Sequence, residues 1–177
     1  MKSEMLGLIP IGATLDIPLE MLLDPLSARF PSFDVSMVDS IGDPPEAYDS
    51  RRAQYHSTRI LTLLERHIPS LRVERLLGVT SHDLYVPGMN FVFGEARSPG
   101  RVAVISTHRL IPGKPDESDL LEKRVLKEAV HEIGHMIGLR HCSKATCVMH
   151  FSERLSDTDL KSPNFCEDCE SHLRVSY

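Results

Sequence analysis

Short apolar runs alternate along the chain with longer stretches in which apolar residues recur at helical spacing. Residues 5–11 (MLGLIPI) are continuously apolar and stop at Gly12, which predicts a buried strand. Leu and Met recur at helical intervals over 18–28, predicting a short helix, and 33–38 (FDVSMV) alternates as a second strand. The segment IGDPPEAYDS that follows is rich in Pro, Gly and Asp and reads as a loop. Over 51–67, Ile60, Leu61, Leu63 and Leu64 sit among charged residues, the pattern of an amphipathic helix that ends before Pro69. Arg51 and Arg52 then read as its solvated start. A strand is predicted at 76–80, and two more at 90–96 (NFVFGEA) and 101–107 (RVAVIST), joined as a hairpin through RSPG. The longest helical pattern covers 116–138, with Asp116 or Ser118 as its N-cap and acidic residues in its first turn. Beyond it only two short helices are expected, at 156–160 and 167–175.

This pattern predicts an α+β chain in two parts. Residues 1–138 form a mixed sheet with two or three helices, and residues 139–177 form a small, sparsely structured lobe. Composition adds limits. With 177 residues, 41 % hydrophobic and 25 % charged, the chain has the make-up of an ordinary globule large enough to bury a core without disulfides. A net charge of −5 leaves no basic stripe to neutralise phosphates, so nucleic acid is not expected as a partner. No apolar run approaches the roughly 20 residues of a membrane span, and the N-terminus lacks a signal-peptide pattern. A reducing cytoplasm is the expected location. All four cysteines fall between positions 142 and 169, and such clustering suggests a local metal site rather than a disulfide framework.

Chemistry concentrates where the long helix ends. His131-Glu132-Ile133-Gly134-His135-Met136-Ile137-Gly138-Leu139-Arg140-His141 places two histidines four apart, about 6 Å along a helix axis and on one face. Their imidazoles can converge on one zinc ion with bonds of about 2.0–2.1 Å. Gly138 can take the left-handed conformation that closes a helix and turns the chain back, bringing His141 round as a third ligand. Three imidazoles leave the fourth tetrahedral position free for water, the mark of a catalytic zinc, and Glu132 on the helix flank is placed to act as general base. A pair of histidines alone on a helix is often only half-buried packing. The added Glu, Gly and third His weigh against that reading, and a metal site without catalysis is the lesser alternative.

Cys142 and Cys147, followed by the Cys166-x-x-Cys169 pair, have the spacing of a closed four-thiolate zinc site. Two disulfides, free thiols or a redox Cys-x-x-Cys are the competing readings. A zinc there would tie the tail to the end of the helix.

HEIGHMIGLRHCSKATCVM followed by CEDC resembles the archaemetzincins, and the histidine pattern is similar to the metzincin peptidase signature. RRAQYHSTRIL and MNFVFGEA are similar to that family too, so the resemblance covers most of the chain. It implies a metzincin-like α+β fold: a twisted mixed sheet above a cleft, an active-site helix beneath it, and a small zinc-stabilised C-terminal lobe. It implies two zinc ions per chain, one catalytic on His131, His135 and His141 and one structural on Cys142, Cys147, Cys166 and Cys169. Glu132 would be the base, and Met149 the methionine of a Met-turn packed under the metal. Sixteen residues separate Met149 from Cys166, one fewer than the family pattern, a departure confined to that loop. An edge strand, for which 90–95 is the candidate, would pair with an extended peptide.

The function expected is hydrolysis of peptide bonds, with an aminopeptidase mode suggested by the resemblance and a peptide or protein as partner. The rival is a catalytically idle zinc protein that binds partners. His56, His82, His108 and His150 are expected on loops or the surface. Tyr55 and Tyr85 are conceivable oxyanion donors with no assigned role.

Overall fold

In the computed structural model, residues 3–114 and 117–176 are described, with side chains described as far as 173. The strands are β1 (Glu4–Ile11), β2 (Phe33–Met37), β3 (Tyr48–Asp49), β4 (Gln54–His56), β5 (Arg75–Thr80), β6 (Leu84–Tyr85), β7 (Gly94–Ala96) and β8 (Val102–Ser106). The helices are α1 (Leu23–Arg29), α2 (Ser57–His67), α3 (Ser118–Met136), α4 (Leu155–Leu160) and α5 (Glu167–Ser176). Five strands form one sheet in the order β2-β1-β5-β8-β7. The first four are mutually parallel, and β7 runs antiparallel to β8 at the edge.

Parallel strands are covered on both faces, which is why β1, β5 and β8 read as nearly unbroken apolar runs. Ile9, Ile11, Leu76, Val102 and Val104 pack under Ile60, Leu61 and Leu64 of α2. The alternate residues Leu6, Leu8, Leu77, Val79, Ala103 and Ile105 meet Leu26 of α1 and Val125, Ala129 and Ile133 of α3 on the other face. That second core continues into the tail through Leu139, Cys147, Val148, Met149 and Phe165. The mixed sheet with its long helix bears out the predicted α+β class.

Three expectations need correction. The second helix starts at Ser57 rather than 51, because 48–56 folds into the β3–β4 hairpin with Ala53 at φ +53°. Arg52 is therefore not a solvated helix start. Its guanidinium donates to the carbonyls of Met89 and Asn90 and lies 4.2 Å from the centre of the Tyr85 ring. The strand expected over 90–96 shortens to Gly94–Ala96. Val92 instead bridges to Leu84 of β6, so this segment crosses from the small β3-β4-β6 sheet to the large one. Ser118 is the first helical residue of α3, not its cap; Glu117 holds that position without a side-chain bond, and Asp116 lies outside the described residues.

Candidate metal centre and cleft

α3 closes where Gly138 stands at φ +98°. The Gly138 N–H bonds to the His135 carbonyl and the Leu139 N–H to the Gly134 carbonyl, each at 2.9 Å, the paired bonds of a Schellman turn. This reversal brings His141 back over the helix, and the three rings of His131, His135 and His141 lie with centroids 4.7–5.4 Å apart. One nitrogen from each lies within 4.8 Å of the others.

Second partners fix the ring tautomers. His131 Nδ1–H donates to the Val148 carbonyl at 2.7 Å, and His135 Nδ1–H donates to the Leu139 carbonyl at 2.8 Å. Each ring then turns an unprotonated Nε2 inward, and the two Nε2 atoms stand 3.1 Å apart with no proton between them. Two lone pairs facing each other at that distance fit a shared cation, since ligands of a tetrahedral zinc with bonds of about 2.05 Å lie roughly 3.3 Å apart. Desolvation disfavours the charged form of all three rings, the exposed His141 included. It lowers His131 well below the usual histidine value, lowers His135, and takes His141 to about 4.

Glu132 is 4 % exposed, and its Oε2 has no hydrogen-bond partner. Desolvation, with the nearby Glu128 charge adding, raises its carboxyl well above the ordinary carboxylate range. A buried, unpartnered carboxyl beside three inward-facing imidazoles fits a site that takes a cation and a polar ligand. Below the helix, Met149 is fully buried, and a β-carbon at Gly134 would lie 2.5 Å from its Sδ. The glycine of HEIGH thus lets the thioether pack directly against the helix backbone.

The four cysteines also converge. Cys142 and Cys166 sulfurs are 3.7 Å apart, Cys147 and Cys169 sulfurs 3.8 Å, and all four lie within 4.8 Å of one another. Disulfide sulfurs would sit at about 2.03 Å, whereas four thiolates around a zinc at about 2.3 Å are spaced by about 3.8 Å. The N–H of Cys166 donates to Cys147 Sγ and that of Lys144 to Cys142 Sγ. Cys166 is lowered to about 7, chiefly by a backbone hydrogen bond from Cys169.

Several groups here were not signalled by sequence. Lys161 is fully buried with its Nζ 3.1 Å from Glu128 Oε1, and Thr158 donates to the same oxygen at 3.0 Å. Arg124 of α3 grips Asp159 of α4 with two bonds of 2.7 and 2.8 Å. These partners lie about 30 residues apart in the chain, so no local pattern announces them. His150, expected on a loop or the surface, lies in the irregular segment after α3, half-buried, and donates from Nδ1 to the Cys142 carbonyl at 2.9 Å, linking the two clusters. His56 ends β4 rather than lying on a loop, is half-buried, and has a buried Nδ1 without a hydrogen-bond partner. His82 pairs with Asp43 and stacks on Tyr55, and His108 is exposed. The Tyr85 hydroxyl donates to Asp49, and neither Tyr85 nor Tyr55 lines the cleft.

The cleft has a volume of about 260 Å³ and lies between β7 and α3. It is lined by Phe91, Phe93, Gly94 and Ala96 at and just before β7, by the three histidines and Glu132, and by Phe151, Ser152 and Glu153. Among the described residues, no helix is long and apolar enough to cross a membrane.

Comparison with known proteins agrees with this geometry. The model of Peptidase family M54 matches residues 36–175. The archaemetzincin of Pyrococcus furiosus is 41 % identical over 94 % of this chain and 90 % of its own length. The crystal structure of the Methanopyrus kandleri archaemetzincin superposes with a TM-score of 0.89 at 37 % identity, covering 98 % of this chain and 95 % of that one. That of the Archaeoglobus fulgidus archaemetzincin, complexed with malonate, gives 0.83 at 40 % identity, covering 94 % and 98 %. With its histidine and cysteine groups both arranged for metal, the chain belongs to the archaemetzincins, the zinc metallopeptidases of family M54.

Proposed function

We propose that His131, His135 and His141 hold the catalytic zinc, that Glu132 is the general base, and that the protein hydrolyses peptide bonds in the cleft beneath β7. The observation that carries this reading is the pair of inward-facing Nε2 atoms on rings locked by Val148 and Leu139, beside an unpartnered Glu132 oxygen.

A zinc ion bound there supplies acidity to a water and polarises the scissile carbonyl. Glu132 takes the proton of the attacking water on its free oxygen and then delivers it to the leaving amine. Its burial keeps bulk water from competing for that proton. β7 is the free edge of the five-stranded sheet, so an extended substrate can add to it as a further strand, oriented by main-chain hydrogen bonds. Met149, packed against Gly134, supports the helix under the histidines as a packing residue of the Met-turn.

Cys142, Cys147, Cys166 and Cys169 hold a second, structural zinc, giving two ions per chain. In this reading the chain divides in function after Gly138. Residues 1–138 supply the sheet and active-site helix, and residues 139–177 the third histidine and the cysteine site. Four thiols arranged as ligands suit a reducing compartment, which supports the cytoplasm as location. The aminopeptidase mode suggested by the family likeness requires an acceptor for a free α-amine.

The test is hydrolysis of a mixed peptide library by the zinc-loaded protein and by Glu132→Ala, with metal content measured on both. Wild type is expected to cleave and the variant to lose activity by at least about 10²-fold while keeping its metal. Equal inertness at full metal loading would sink the peptidase reading and leave a metal-binding module.

A further inference from the structure

Three successive carbonyls after Cys147 each accept a hydrogen bond from a different part of the chain. The Val148 carbonyl accepts from His131 Nδ1 at 2.7 Å. The Met149 carbonyl accepts from the N–H of Cys142, the residue after His141, at 2.9 Å. The His150 carbonyl accepts from Lys161 Nζ at 3.4 Å. The first two bonds hold or adjoin the proposed zinc ligands. The third leads to a buried cation to which the peptidase reading gives no task.

Lys161 stands at the C-cap of α4 with its side chain turned inward and fully buried. Its Nζ also donates to Glu128 Oε1 at 3.1 Å, and Glu128 lies on α3 one turn before Glu132. α4 itself is clamped to the same helix. Lys127 donates to the carbonyls of Thr158 and Asp159, each at 3.0 Å, and Arg124 grips the Asp159 carboxylate. The Lys161 ammonium therefore stands on a fixed base and joins α3 to residues 148–150. For stability alone, such a pair can be matched by well-packed apolar side chains of similar volume. An apolar pair cannot supply direction, which here is N–H donors aimed at a carboxylate on one element and a carbonyl on another.

We propose that Lys161 is a positioning residue of the histidine site. By bridging Glu128 and the His150 carbonyl it holds residues 148–150 in register with α3. The Val148 carbonyl then orients the His131 ring, and the Met149 carbonyl and the His150 ring together fix the Cys142 backbone behind His141. This rests on the reading of the three histidines as zinc ligands. His135 lies outside the path, because its Nδ1 is held by the Leu139 carbonyl in the turn that closes α3.

The test uses zinc-loaded protein carrying isotopically labelled histidine. Nuclear magnetic resonance then reads how fast the ring N–H protons of His131 and His135 exchange with water. Competition with a chromophoric chelator measures the hold on the histidine-bound ion in parallel, and the cysteine-bound ion serves as a check that the tail is folded. Lys161→Met is expected to speed exchange at His131 about tenfold or more, to leave His135 unchanged, and to weaken the histidine-bound ion about 10–100-fold. Lys161→Met combined with Glu128→Leu removes both charges, so the fold does not carry an unpaired one. This double variant should still show fast His131 exchange and a weakened ion even with its thermal stability recovered. Wild-type values of both in the stable double variant would overturn the positioning role and leave Lys161 a stability element. Equal acceleration at His131 and His135 would also overturn it, since general loosening does not follow this path. A wild-type protein that binds no zinc at the histidines would instead overturn the reading on which the inference rests.

Discussion

Gly94 of the edge strand lies directly over the carboxylate of Glu132. A β-carbon on Gly94 would stand 2.7 Å from Glu132 Oε1 and 2.8 Å from the Val104 carbonyl. The strand can cross the proposed base at this distance only because the residue there has no side chain. Gly94→Ala should therefore push Glu132 aside and strain the β7–β8 pairing at the Val104 carbonyl, while leaving both clusters of metal-binding residues in place. The expected result is a fall in kcat/KM on the order of 10²-fold with zinc content unchanged. Retained activity would show that Glu132 can yield without cost.

Lys161 and Glu128 form an ion pair with both side chains almost wholly buried. Removing one partner leaves a charge with no counterion in the interior, a loss of about 3–5 kcal/mol. Lys161→Ala should accordingly lower the Tm by roughly 6–20 °C. Replacing both residues together, as Lys161→Met with Glu128→Leu, should recover most of that loss. Thermal unfolding of the two variants checks this, and an equally unstable double variant would mean that packing rather than charge dominates.

Cys142 joins the two centres. It follows His141 in the chain, its N–H donates to the Met149 carbonyl at 2.9 Å, and its own carbonyl accepts from His150 Nδ1. Cys166→Ser should reduce bound zinc from two ions to one. It should also loosen the segment that carries His141, weakening the remaining ion by about 10–100-fold. Metal analysis after stepwise dialysis against a chelator reads both effects. Unchanged retention of the histidine-bound ion would show the centres to be independent.

Protonation should destabilise the metal-free protein in a defined pH window. In the unfolded chain His141 takes up a proton near about 6.5, but in the folded chain only near about 4, because burial and then the His135 and Lys161 charges oppose it. Between those values the unfolded state holds more protons. The stability contributed by the neutral ring is complete above the upper value and is lost as pH falls through the window. His131 and His135, lowered in the same direction, add to the effect. Denaturant titrations of the metal-free protein from pH 7 to pH 4 should show midpoints that fall with pH, less steeply for His141→Asn. A flat profile would contradict the desolvation of these rings.

Much of this molecule follows from local sequence. The apolar runs of β1, β5 and β8 and the long periodic stretch of α3 announce themselves because parallel strands and core helices need continuous or 3.6-periodic apolar positions. The three histidines, Glu132 and the four cysteines were legible for a related reason. Ligands grouped around a helix end and a tight tail keep fixed spacings, and Gly138 marks the turn. The β3–β4 hairpin was not legible, since Arg51 and Arg52 continue a helical pattern and only the backbone reversal at Ala53 breaks it.

By itself, then, the sequence determined which residues could gather at the two centres and the chemistry their types permit. The tertiary structure decided what surrounds them. It set Gly94 over Glu132, buried Lys161 against Glu128, and turned His150 to the Cys142 carbonyl. These relationships join residues far apart in the chain, and they arise from where the helices and sheet dock. That docking is fixed by the burial of two whole core faces, which no window of neighbouring residues contains.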